Sequence, residues 1–139
     1  MGHAQGEEAV KLVLDTCVIL WSILEPDSLS RSAAEALTSA SASLYISPIS
    51  AAEIACGVAR SRIVLDRHWK PWLRRFIEAN GWQVADIDLR TMEEAYSLPE
   101  FPPGDPADRI IIATARALQC PVVTADKRIR DYPHVETVW

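Results

Sequence analysis

The sequence predicts an α/β fold, a three-layer sandwich around a mainly parallel central sheet. Three observations carry this. Short apolar runs without polar alternation recur at 11–15, 44–47 and 121–124, and such runs suit strands buried on both faces. Stretches with helical periodicity separate them, most clearly Trp69, Trp72, Leu73, Phe76 and Ile77. Strands that alternate with helices return in parallel, with helices covering both faces of the sheet.

The elements run in this order. Residues 1–10 are polar and read as a flexible tail with no secretory character, leaving 11–139 as one domain. After the first strand, 16–25 reads as a helix that stops before Pro26. Ser30 is placed to cap a second helix running to about 41. The strand 44–47 closes at Pro48, and Ser50 is expected to open a helix over 51–60. Asp66 is expected to cap the amphipathic helix that Asn80-Gly81 ends. Residues 82–88 read as a strand and 90–98 as a helix. The proline-rich connection 99–104 leads into an apolar helix over 106–118 with Pro106 in its first turn. A strand at 121–124, one helical turn at 127–131 and a last strand at 135–139 complete the chain.

The bulk numbers exclude several classes. With 139 residues the chain fits one domain, and 49% hydrophobic content excludes a wholly disordered chain. No apolar run is long enough for a membrane span. Cys17, Cys56 and Cys120 form no C-x-x-C pair and are odd in number, so a disulfide framework is not expected and a reduced, cytoplasmic setting is. All three read as small buried hydrophobes. A net charge of −5 argues, taken whole, against nucleic acid. Its distribution is uneven. Arg60, Arg62, Arg67, Lys70, Arg74 and Arg75 face only Asp66 within 60–75, a local +5. Such a strip is commonly a solvated helix face. Arg60, Arg62, Lys70 and Arg74 are also candidates to contact RNA phosphates or an acidic partner segment.

Asp15, Glu53, Asp108 and Asp126 stand at strand-to-helix junctions, with Asp105 just before the long apolar helix. Singly, each is best read as a cap: Ser50-x-x-Glu53 resembles a capping box, Asp105 an N-cap, and Asp15 and Asp126 are each placed to cap the helix after them. Jointly they differ. In an open α/β sheet these junctions lie at the carboxyl ends of the strands, where ligands bind. Four carboxylates in one cleft repel unless some hold protons or a cation gathers them. Oxygen donors without Cys or His select Mg²⁺ or Mn²⁺. Spacing alone reaches a possible carboxylate metal site.

The same residues resemble the PIN-domain family, most specifically its VapC-type toxins of toxin–antitoxin systems. Leu12-Val-Leu-Asp-Thr16, Ser50-Ala-Ala-Glu-Ile-Ala-Cys-Gly57, Asp105-Pro-Ala-Asp-Arg-Ile-Ile-Ile-Ala-Thr-Ala115 and Val123-Thr-Ala-Asp126 resemble its four motifs, in order, over nearly the whole chain. The resemblance implies an acidic site of Asp15, Glu53, Asp108 and Asp126, with Asp105 as a further ligand or a helix cap, holding Mg²⁺ or Mn²⁺. It implies an endoribonuclease in which metal-activated water cleaves RNA to leave a 5′-phosphate and a 3′-hydroxyl. Thr16 and Thr124 match hydroxyl positions beside the site. A homodimer and a VapB-type antitoxin are implied as partners, and no membrane. The subgroup often carries a His where Pro103 stands. The alternative within the family is a non-catalytic RNA- or protein-binding module, which usually lacks one of the acids.

Two other chemistries fit less well. A phosphotransferase of the haloacid-dehalogenase type wants a second Asp where Cys17 stands, and a metal-independent ribonuclease would have to use His68 and His134 as acid and base. Trp69 and Trp72 could stack bases, but at helical spacing they read as core or interface, as do Trp21 and Trp82.

Overall fold

The computed structural model describes residues 10–101 and 104–139. Most of the tail, and Pro103, lie outside the described residues. The architecture is the α/β sandwich expected. In chain order the elements are β1 (Val10–Leu14), α1 (Thr16–Leu24), a 3₁₀ turn (Pro26–Ser28), α2 (Arg31–Thr38), β2 (Ala42–Ile46), α3 (Pro48–Ala59), α4 (Trp69–Asn80), β3 (Gln83–Val84), α5 (Leu89–Ala95), α6 (Pro106–Leu118), β4 (Val122–Val123), α7 (Lys127–Arg130) and β5 (Thr137–Val138). The five strands lie in the order β3-β2-β1-β4-β5. Every pairing is parallel, with Val13 opposite both Tyr45 and Val122 in the centre.

Strand β1 shows why the sheet carries two helical layers. Leu12 and Leu14 project into a core with Val18, Ile19, Ile46, Ile54, Trp72, Leu73 and Trp82. Val13 projects the opposite way, onto Ile111, Ala115 and Val122. Side chains alternate along a strand, so an uninterrupted apolar run needs cover on both sides. Helix α6 is buried along most of its length and supplies that second layer.

Several expectations need correction. Ser50 does not open α3. Ser47 caps it, accepting from the Ile49 amide at 3.2 Å, and Pro48 takes the first helical position, where its missing N–H costs nothing. Ser50 is instead fully buried inside the helix, so the capping box with Glu53 does not form. Asp66 does not cap α4; His68 does, accepting from the Lys70 amide through Nδ1 at 3.2 Å. The strand expected over 82–88 is only Gln83–Val84, because Asp88 leaves the sheet to cap α5 in a capping box with Thr91. Helix α2 ends at Thr38, short of 41. Cys56 is exposed and Cys17 and Cys120 are half-buried, all as free thiols, so they are not uniformly core residues. Trp72 and Trp82 are buried as packing residues, Trp69 packs partly buried against the same core, and Trp21 packs against Trp139 with the rings tilted by 46° and their centroids 5.8 Å apart.

Candidate active site

The strand order places β1 between β2 and β4, so the chain leaves β1 at the point where connections diverge to either side. That is where an open parallel sheet forms its ligand crevice. Asp15 stands at the end of β1, its backbone amide bonded to the Val123 carbonyl of β4 at 3.1 Å. Glu53 comes from α3, which follows β2. Asp108 comes from the first turn of α6, and Asp126 caps α7 after β4. These four line one cleft with Thr16, Cys17, Trp21, Asp105 and Arg128.

Hydrogen bonds fix the floor of the cleft. Asp15 is buried, and its Oδ1 accepts from the Thr16 amide at 2.8 Å, so it is a helix cap as well as a site residue. Its Oδ2 accepts from the Thr124 hydroxyl at 2.7 Å. The same Thr124 oxygen accepts from the Asp126 amide at 2.9 Å, so one buried hydroxyl sets the spacing of two acids. The Thr16 hydroxyl donates to Glu53 and lies 2.7 Å from the Ser50 oxygen. Since Thr16 has one proton to give, Ser50 donates to Thr16, making a relay of Ser50, Thr16 and Glu53. Ser50, expected at the helix start, is therefore a part of the site that sequence reasoning assigned a different role.

Arg128 is a site residue that sequence reasoning missed. Its guanidinium pairs with Asp108, its Nε lies 3.9 Å from Asp126 Oδ1, and its amide donates to that same oxygen at 2.8 Å. The signal was present, since a basic residue two positions after a capping Asp stands on the same turn. Asp105 caps α6 through the Ala107 amide at 3.0 Å and also borders the cleft. Upstream of it, the Tyr132 hydroxyl donates to the Pro99 carbonyl at 2.5 Å, and Arg109 bonds the Ala95 and Phe101 carbonyls.

The electrostatics are those of crowded carboxylates. Burial, reinforced by Asp126, Asp15 and Asp105, pushes Asp108 up to about 7, with Arg128 opposing. Burial and the Asp126 charge raise Asp15 against the pull of its Thr124 and Thr16 bonds. Burial raises Glu53 too, helped by Asp105 and Asp15 and opposed by Thr16. Cys17 is pushed up to about 12 by burial and then by Asp15, which makes it a poor nucleophile.

The donor set suits a hard divalent cation: carboxylate oxygens only, desolvated and mutually repelling. Among the described residues no three His, Cys, Asp or Glu side chains yet form a group tight enough to hold an ion. Arg128 occupies Asp108 and Thr16 occupies Glu53. Of the remaining sequence candidates, Arg60 and Arg62 line a second groove that meets the cleft at Glu53 and Asp105. Lys70 and Arg74 line neither. They lie exposed on α4, where Lys70 Nζ sits 5.9 Å from the Trp69 ring centroid. His68 is exposed and engaged as a cap, and neither it nor His134 borders the cleft, so an acid–base pair of histidines is not assembled.

Comparison with known proteins gives a coherent picture. The family model described as the PIN domain matches residues 12–135. Ribonuclease VapC22 of Mycobacterium tuberculosis is 35% identical over 130 residues, covering 92% of this chain and 98% of that protein. Among solved structures, VapBC2 from Rickettsia felis bound to a promoter DNA fragment superposes with a TM-score of 0.69 at 17% identity, covering 92% of this chain and 97% of that one. A toxin–antitoxin complex from Klebsiella pneumoniae gives 0.62 at 22%, covering 89% and 94%. At these identities the structural matches establish the shared fold.

Proposed function

The chain belongs to the PIN-domain family, and from that premise we propose that it is a divalent-metal-dependent endoribonuclease, the VapC-type toxin of a toxin–antitoxin pair. One observation carries the reading: acids from four separate junctions, Asp15, Glu53, Asp108 and Asp126, reach a single cleft at the sheet's switch point. Structural caps alone would not require their side chains to share one cleft. The named ribonuclease at 35% identity supports the same activity. No acid of the set is missing, which disfavours the non-catalytic binding module.

Asp15, Glu53, Asp108 and Asp126 would hold Mg²⁺ or Mn²⁺, with Asp105 beside them as a further ligand or a helix cap. A bound divalent cation supplies Lewis-acid stabilisation of phosphate charge and lowers the pKa of water. The protein's own residues do the positioning. Thr124 spaces Asp15 from Asp126, Thr16 aims Glu53, and Arg128 offsets charge on Asp108 and Asp126. Since the solved relatives are toxin–antitoxin assemblies, a VapB-type antitoxin is the partner we propose, with a homodimer and a cytoplasmic setting.

The test is direct. Purified protein should cleave RNA in Mg²⁺ or Mn²⁺, stop in EDTA, and leave 5′-phosphate ends. Asp15→Asn should abolish cleavage while keeping the fold. A cleavage activity that persisted in both EDTA and Asp15→Asn would sink the reading.

A further inference from the structure

The acidic cleft does not end at the carboxylates. Beyond Glu53 and Asp105 it continues as a groove walled by α3 and the start of α6, and Arg60 and Arg62 stand at its far end. Helix α3 connects the two regions. Glu53, Gly57 and Arg60 are spaced three and four residues apart and share one face. Seven residues of helix put Arg60 about 10 Å beyond Glu53.

The turn carrying the two arginines is held firmly. The Arg60 amide bonds the Cys56 carbonyl at 3.0 Å, and Ser61 adopts a left-handed conformation with φ 58°. The amides of Arg62 and Ile63 then both return to the Gly57 carbonyl, at 2.8 and 3.2 Å. Ile63 closes over Gly57 so tightly that a Cβ there would lie 2.4 Å from its Cδ1. Gly57 thus has a packing reason: it lets the chain fold back against α3. Arg60 and Arg62 are exposed, and among the described residues neither forms an ion pair. Two unpaired guanidinium groups on a fixed turn, at the end of a groove leading from a phosphodiester-cleaving cleft, match the chemistry of a phosphate backbone.

We propose that Arg60 and Arg62 form a phosphate-binding site for the RNA strand flanking the scissile bond, so that the substrate lies along α3 from the carboxylates to this turn. This rests on the ribonuclease reading. It separates the basic strip into two parts: Arg60 and Arg62 hold substrate, whereas Lys70 and Arg74, off the groove, do not.

The experiment uses the full chain carrying Asp15→Asn, so that RNA survives. Binding of a fluorescein-labelled single-stranded RNA is followed by anisotropy over a range of salt. Arg60→Gln/Arg62→Gln is compared with Lys70→Gln/Arg74→Gln, which removes the same charge. Each lost phosphate contact lowers the slope of log affinity against log salt by about 0.7 for a single strand, so the first pair should lower it by about 1.4. Affinity at low salt should fall about tenfold or more, and the second pair should leave the slope unchanged. Equal effects of both pairs would mean diffuse attraction and overturn the site. So would an unchanged slope in the first pair, and so would loss of binding to an acidic antitoxin peptide with RNA binding intact. Cleavage by protein with Asp15 restored is measured in parallel. If it occurs and the slopes do not separate, this site fails and the ribonuclease reading stands. If RNA is neither cleaved nor bound, both fail.

Discussion

Asp108 offers a way to measure what the site costs the fold. Its carboxyl is pushed up from 3.8 to about 7, first by burial and then by Asp126, Asp15 and Asp105. Between those values the folded protein keeps a proton that the unfolded chain has released. Stability of the metal-free protein therefore falls as pH rises through this window and levels off above it. Each tenfold change in proton affinity is worth about 1.4 kcal/mol, so the ionised Asp108 costs at most about 4 kcal/mol above pH 7. The cleft is open to water and Arg128 is half-exposed, so screening reduces this to roughly 2 kcal/mol. Asp108→Asn removes the charge and keeps the shape. In EDTA, urea unfolding should show the variant about 2 kcal/mol more stable than wild type at pH 8, some 6 °C in melting temperature. The gain should shrink as pH falls from about 7 and approach zero only below 3.8, where wild-type Asp108 is protonated in both states. RNA cleavage should be lost at every pH. No gain at pH 8, or a gain independent of pH, would refute the reasoning, because only an unfavourable buried charge predicts that profile.

Two further outcomes test separate parts of the structure. Gly57→Ala should destabilise the protein by about 1 kcal/mol, since crowding against Ile63 exceeds the helix-propensity gain of replacing glycine. With Ile63→Ala already in place the sign should reverse, to a gain of about 0.5 kcal/mol, read by a double-mutant cycle in urea. Cys17, held at about 12, should resist iodoacetamide at pH 8 while exposed Cys56 reacts, as peptide mass mapping of the labelled native protein would show.

Much of the fold was legible from the chain, and the failures have physical causes. The long helix over 106–118 is read correctly at both ends because Asp105 and Pro106 start it and its apolar run is continuous. The strands are less legible. Those at 83–84, 122–123 and 137–138 are two residues each, too short for any periodicity, and form because a neighbour offers a template: β2 for β3, β1 for β4 and β4 for β5. Ser50 misled because Ser-x-x-Glu is a cap signature in sequence. Ser47-Pro48 three residues earlier competes for the same role and wins, since proline fixes the helical φ and lacks the amide that would need satisfying. The nearness of Arg128 to Asp126 was legible in their spacing, but its pairing with Asp108 and the groove to Arg62 were not, because both depend on which residues the fold brings together from distant segments.

Capping and membership of a shared acidic cleft, treated as rivals in the sequence, coincide in the same residues. Asp15, Asp105 and Asp126 each commit one carboxylate oxygen to a backbone amide at a helix start. That bond fixes the carboxylate against the backbone and leaves the second oxygen of Asp105, among the described residues, without a hydrogen bond. The helix ends thus orient anions that would repel one another if free. The overall charge of −5 is then a poor guide to partners. The negative charge is gathered where a cation would offset it, and the positive charge of Arg60 and Arg62 stands where a phosphate backbone would run. An acidic protein arranged this way should hold RNA weakly when stripped of divalent ions and more firmly once the carboxylates are neutralised. Simple charge balance would predict weak binding in both conditions.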